Sequence, residues 1–109
     1  MQYVITGKVI RGDGYGKKLG FPTVNLTSKT KEFPKTGVYA GMASLDGIEY
    51  RAGIVVGPRK KIEAHLIGYN GDAYKKKVTF KINKFLREYK IFSTEEELII
   101  QIKKDLKLC

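Results

Sequence analysis

The chain reads as a small, mostly β protein: a closed barrel of short antiparallel strands with one C-terminal α-helix packed outside. Three observations predict this class. Hydrophobic residues recur with period two over most of the length, which is the period of strands. Two such runs, Val38 to Leu45 and Ile48 to Val56, are joined by Asp46-Gly47, a dipeptide suited to a type I′ hairpin turn. Only the final stretch, from Ser93 onward, carries both helical periodicity and helix-start chemistry. Pattern by itself leaves an OB-like barrel open, because that fold is also built from short strands around a closed core.

Taken in order, Tyr3, Ile5, Gly7 and Val9 alternate with more polar neighbours and predict the first strand. A loop dense in glycine follows, with Gly12, Gly14, Gly16 and Gly20, and then Pro22-Thr23-Val24-Asn25. The hairpin supplies two more strands, with Ile48, Tyr50, Ala52, Ile54 and Val56 on one face. Ile62, Ala64 and Leu66 make the buried face of a fourth strand, which leaves Glu63 and His65 on its polar face. Asn70-Gly71-Asp72 marks a turn, and Val78, Phe80 and Ile82 line a fifth strand. At the C-terminus, Ser93 with Glu96 reads as a capping box. Glu95 to Glu97 in the first turn and Lys103, Lys104 and Lys107 late both complement the helix dipole. Ile99, Ile102 and Leu106, with Leu98 beside them, form an apolar stripe expected to pack against the strands.

A length of 109 residues predicts one domain, 1–109, with a single modest core. A hydrophobic fraction of 42% and a charged fraction of 29% are those of an ordinary globular protein. No apolar run approaches the roughly 18 residues of a spanning helix, so no transmembrane helix, and no membrane partner reached through one, is expected. The N-terminus lacks the charged and apolar regions of a secretory signal. Cys109 is the only cysteine, so it forms no internal disulfide and has no partner for a metal site; a cytoplasmic location fits. The net charge of +10 favours polyanionic partners, whether nucleic acid, an anionic membrane surface or a nucleotide. The basic residues come in short groups: Lys17-Lys18, Lys29 to Lys31, Arg59 to Lys61, Lys75 to Lys77 and Lys103-Lys104. None is long enough to be a basic tail, and a solvated lysine-rich surface is the simpler reading.

The most chemically suggestive segment runs from Gly7 to Leu26, GKVIRGDGYGKKLGFPTVNL. Glycines let backbone N–H groups approach a ligand closely, and Lys17 and Lys18 add positive charge. Thr23 and Asn25 lie two apart, so in an extended segment they project to one side. Backbone donors, cations and neutral oxygen ligands suit a nucleotide phosphate with its Mg²⁺. The loop is neither a P-loop, since GxxxxGK[ST] is absent, nor a Rossmann fingerprint, since no clear helix follows it.

The block resembles the riboflavin kinase family, whose signature reads roughly G-x-V-x-x-G-x-x-x-G-R-x-L-G-F-P-T-A-N-L. Gly7, Val9, Gly12, Gly16, Leu19, Gly20, Phe21, Pro22, Thr23, Asn25 and Leu26 fall in register, with Lys17 in place of Arg and Val24 in place of Ala. A second block, Glu63-Ala64-His65-Leu66-Ile67-Gly68-Tyr69-Asn70-Gly71-Asp72-Ala73-Tyr74, resembles the family's E-V-H-L-L-D-F-x-x-D-L-Y-G. Leu86-Arg87 and Phe92 match a later L-R-x-x-x-x-F. The resemblance covers nearly the whole chain and implies a six-stranded Greek-key barrel.

It also implies a function: transfer of the γ-phosphoryl group of ATP to the 5′-hydroxyl of riboflavin, giving FMN. By the same resemblance Glu63 would be the catalytic base, and Thr23 and Asn25 the Mg²⁺ ligands. Arg11, Gly12, Gly14, Gly16, Lys17, Gly20, Pro22, Leu66 and Tyr74 would hold ATP, and Arg87, Tyr89 and Phe92 the flavin. The implied partners are these small molecules, in a monomer or a chain fused to the adenylyltransferase module common in bacterial members; a nucleic-acid partner is not expected. Departures cluster elsewhere. Val55-Val56-Gly57-Pro58-Arg59-Lys60-Lys61-Ile62 stands where the family has N-I-G-x-R-P-T-F and a longer loop. Gly68 replaces an Asp, Lys75 a Gly, and Tyr89 an acidic residue. Two alternatives therefore accompany the kinase: a weakly catalytic nucleotide- or flavin-binding module of the same fold, and a basic OB-like barrel for single-stranded nucleic acid.

Overall fold

The computed structural model describes residues 3–27 and 32–109. Six strands form a closed barrel: β1 (Tyr3–Ile10), β2 (Val24–Thr27), β3 (Gly37–Leu45), β4 (Ile48–Val56), β5 (Ile62–Leu66) and β6 (Lys77–Arg87). A one-turn helix, α1 (Tyr15–Lys18), interrupts the loop between β1 and β2, and α2 (Glu95–Lys107) follows β6. The order around the barrel is β1-β2-β5-β4-β3-β6, every neighbouring pair antiparallel. β3, β4 and β5 are successive neighbours and β6 returns beside β3, which is a Greek key. Six strands, rather than the five of an OB-fold, settle the alternative that pattern left open. No helix among the described residues is long and apolar enough to cross a membrane.

The alternation points one face of each strand into a dry interior. Phe80, Ile5, Leu45, Ile54, Ile62, Ile82, Val56 and Val78 are fully buried there, each stabilising the fold by about 2 kcal/mol. Asp46 and Gly47 both take positive φ, 53° and 77°, as the type I′ turn requires. Ile48 keeps its predicted face but not its burial, because it opens the strand at the mouth of that turn, where nothing covers it; it is 54% exposed. β2 had no periodicity to betray it, being only four residues long, yet it closes the barrel between β1 and β5. β6 is longer than its apolar core suggested, and irregularities opposite Val38–Tyr39 and Ala40–Gly41 bend it so that Arg87 ends beside Val38.

The helix differs from expectation at its start. Its cap is Thr94, not Ser93: Thr94 Oγ1 accepts from the Glu97 N–H at 3.2 Å, while Ser93 Oγ donates to the Glu97 carboxylate at 3.2 Å. Thr94 is the residue with extended backbone, so its side chain is the one aimed at the free N–H groups. The apolar stripe does pack on the outer wall, Leu106 against Gly53 of β4, but it does not join the interior, because the barrel closes without it. Leu98, Ile99, Ile102 and Leu106 are only half-buried, and the one buried residue of α2 is Asp105. Lys29 to Lys31 lie outside the described residues.

Candidate active site

Two cavities meet at Asp13 and Lys61. The first, of about 500 Å³, is the cleft between the outer wall of the barrel and α2 with the segment leading into it. Tyr15, Phe21, Tyr89 and Phe92 line it, together with Val55, Leu98, Ile102 and Leu106. The second, of about 580 Å³, lies between the end of β1 and the turn at Pro58–Lys60. Its cations are Arg11, Arg59, Lys60 and Lys61, against the single carboxylate of Asp13. The first is suited to a flat apolar ligand, and the second to a polyanion.

Glu63 sits where these spaces approach each other. On β5 it pairs with Asn25 of β2 on one side and Val55 of β4 on the other, and its carboxylate faces the cleft. Burial pushes its carboxyl above the ordinary value; the Lys61 ammonium opposes the rise and the Asp13 carboxylate adds to it. Thr23, just ahead of β2, lines the same cleft. Asn25 is 9% exposed and lines the second cavity. Gly12 explains the position of its amide: a Cβ there would overlap the Asn25 side chain. Gly16 is constrained likewise, since a Cβ would lie 2.6 Å from the Phe21 carbonyl oxygen and 3.4 Å from the Thr23 methyl. These two glycines let the loop close down on β2.

Of the other residues expected to hold nucleotide, Arg11 and Gly12 line the second cavity and Gly16 the first. Tyr74 reaches the site through Arg11, whose guanidinium carbon lies 4.2 Å from the ring centre. Gly14, at φ 73°, is the N-cap of α1, Lys17 is exposed on that turn, and Gly20 has φ 94°. Pro22 offers its carbonyl to His65. Leu66, 4% exposed, points into the barrel core, so only its backbone faces outward. Of the residues expected to hold flavin, Arg87, Tyr89 and Phe92 all line the cleft. Arg87, however, is engaged. Its Nε donates to both Asp105 oxygens at 3.1 Å, Nη2 to Oδ2 at 2.9 Å, and Nη1 to the Glu88 carbonyl at 3.1 Å. Gln101 completes the carboxylate's shell at 2.9 Å. This pair pins α2 to the end of β6 and so shapes the cleft.

Sequence reasoning missed Asp13, Lys61, His65 and Asp105. The signal for His65 was present, two positions from Glu63 on one strand face. For Asp13 and Lys61 there was none, because only the closing of the loop brings them to Glu63.

The family model described as Flavokinase, riboflavin kinase, matches residues 1–109. The bifunctional riboflavin kinase/FMN adenylyltransferase of Pseudomonas fluorescens is 31% identical over 94% of this chain, which spans 35% of that protein's length. A crystal structure of a macrolide-efflux protein from Streptococcus pneumoniae superposes with a TM-score of 0.91 at 26% identity, over 96% of this chain and 37% of that one. The riboflavin kinase of Trypanosoma brucei superposes with a TM-score of 0.72 at 22% identity, over 98% and 76%. A match over the full sequence, the Greek-key barrel and the in-register glycine and glutamate blocks give one conclusion: the chain belongs to the riboflavin kinase family.

Proposed function

We propose that residues 1–109 act as one domain that phosphorylates riboflavin with ATP, and that it does so in the cytoplasm, as a monomer or joined to an adenylyltransferase module. The observation that carries this reading is Glu63, a carboxylate of raised proton affinity between an aromatic cleft and a cationic cavity. The isoalloxazine ring would occupy the cleft against Tyr89 and Phe92, and the polyphosphate would lie along Arg11, Arg59, Lys60 and Lys61.

Glu63 accepts the proton of the riboflavin 5′-hydroxyl as that oxygen bonds to the γ-phosphorus. The bond from the γ-phosphorus to the β–γ bridging oxygen breaks, and ADP leaves with the electron pair. Raised basicity makes Glu63 a better proton acceptor than a solvated carboxylate. The cations offset the charge on the phosphates.

Mg²⁺ fits the donor chemistry present. Among the described residues no cluster of three or more His, Cys, Asp or Glu could hold a metal by itself. A hydroxyl at Thr23 and an amide oxygen at Asn25 suit an ion that arrives on phosphate and keeps several waters. Bound there, it would neutralise phosphate charge.

Incubation with riboflavin, ATP and MgCl₂, followed by chromatographic separation of riboflavin and FMN, tests the proposal. FMN formation that disappears in Glu63→Gln is the expected result. The binding-module reading draws on one observation, that Arg87 is already committed to Asp105 and the Glu88 carbonyl through all three of its guanidinium nitrogens, which leaves only one N–H on each of Nη1 and Nη2 for a ligand. It predicts bound riboflavin and ADP in a titration with no FMN formed.

A further inference from the structure

His65 is the only histidine of the chain, and the proposed reaction makes no use of it. It stands two residues beyond Glu63 on β5, on the same outer face, and lines the same cleft. Its Nδ1 lies 2.7 Å from the carbonyl oxygen of Pro22, and its ring meets Phe21 edge-on, centroids 5.9 Å apart at 84°. Both contacts fall on the residues immediately before Thr23. Across β4 it faces Gly53, which has no side chain to draw the ring the other way.

The backbone explains why the bond is needed. Pairing between β2 and β5 runs from Leu26–Ile62 to Val24–Ala64 and stops there. Pro22 has no N–H to extend it. The Phe21 N–H donates to the Gly16 carbonyl at 2.8 Å, but that bond stays within the loop, so without a tie to β5 the turn that carries Thr23 would hang from the end of β2 while Glu63 stays fixed inside the sheet. The His65 side chain supplies that tie. Because a carbonyl oxygen only accepts, Nδ1 must carry the proton, which leaves Nε2 unprotonated in the neutral ring.

We propose that His65 is a positioning residue: its Nδ1–H holds the Pro22 carbonyl and thereby sets the Thr23 hydroxyl in relation to the Glu63 carboxylate. The inference rests on the assignment of Thr23 as a ligand of nucleotide-bound Mg²⁺.

Three substitutions test it. His65→Asn keeps an N–H near the place of Nδ1, His65→Gln moves one to the place of Nε2, and His65→Leu keeps bulk without a donor. ADP affinity is measured by calorimetry with and without MgCl₂, riboflavin affinity by fluorescence, and folding by thermal melts. The tautomer of the wild-type ring is read from long-range ¹⁵N–¹H spectra. An Nδ1–H tautomer is expected. In Leu and Gln the gain in ADP affinity from Mg²⁺ should fall by about tenfold, the scale of one lost neutral hydrogen bond, with riboflavin affinity little changed. Asn should keep most of the gain. An Nε2–H tautomer, equal behaviour of all three variants, or a loss confined to riboflavin affinity would overturn the proposal. A Thr23→Val control separates this from the metal assignment. If Thr23→Val keeps the full gain from Mg²⁺, the metal assignment fails. His65 then stands as a tie on the Pro22–Thr23 turn only if the Nδ1–H tautomer and a stability difference between Asn and Leu are both observed, and falls if either is missing.

Discussion

The inside of the barrel and the cleft on its outside are built from alternate residues of the same strands, yet they follow opposite rules. Inside, Ile62, Ala64 and Leu66 of β5 are at most 4% exposed and belong to the apolar core cluster. Outside, Glu63 and His65 of that strand face a half-open space with charges on several sides. The interior derives its stability from many interchangeable contacts. The cleft depends on a few directional ones: Arg87 on Asp105, His65 on Pro22, the Asn25 amide against Gly12. Damage inside should therefore lower stability everywhere, and damage outside should remove function or loosen α2 while the barrel persists.

The largest effects test the two sides separately. Phe80→Ala, at a fully buried site, should destabilise the whole protein by about 4 kcal/mol, measured by urea unfolding. Glu63→Gln should lower kcat on the order of a thousandfold without that loss. In the absence of Mg²⁺ it should even raise the melting temperature at neutral pH. The sign follows from the raised carboxyl: the folded state binds the Glu63 proton more tightly than the unfolded chain does. Stability from this group is thus greatest below its unfolded pKa and is lost as pH rises through the folded one. Glutamine removes the dependence, and melts across that pH range read it directly. A lower melting temperature for Glu63→Gln at neutral pH would mean that Glu63 serves the fold.

Arg87→Met comes next, leaving Asp105 buried beside a hole. It should cost about 3 kcal/mol, and hydrogen exchange should show the loss concentrated in α2, with β3 and β6 still protected. Uniform loss would mean that the helix belongs to the core after all. The smallest effect sharpens the helix boundary. Thr94→Ala should cost about 1 kcal/mol and Ser93→Ala less, since Thr94 caps the N–H of Glu97. The reverse order, read from chemical denaturation, would restore the cap to Ser93.

Much of the fold was legible because the barrel interior repeats one simple signal. Tyr3 to Val9, Ile54 to Val56, Ile62 to Leu66 and Val78 to Ile82 alternate, and Asp46-Gly47 names its own turn. The short β2 was not legible, since four residues after a proline carry no period. The helix face was legible only in part: an apolar stripe states that something covers it, not whether that is a core or a ligand cleft. In the site, Glu63, Thr23 and Asn25 were marked by family motif and spacing. Asp13, Lys61 and Asp105 carry no motif, and their importance comes from what lies beside them.

What the sequence determined by itself is therefore the local chemistry: strand alternation, the hairpin, the glycines that admit close approach, and the carboxylate and oxygen donors of the site. Tertiary structure alone decided which of these meet. Closing the barrel set Asn25 opposite Glu63, carried Arg87 round to Asp105 and turned Leu98, Ile102 and Leu106 toward a cleft instead of a core. The reason is physical. Alternation and turn preference act between residues close in the chain, whereas burial of a carboxylate, pairing of a charge and the shape of a cleft are properties of neighbours brought together only by folding.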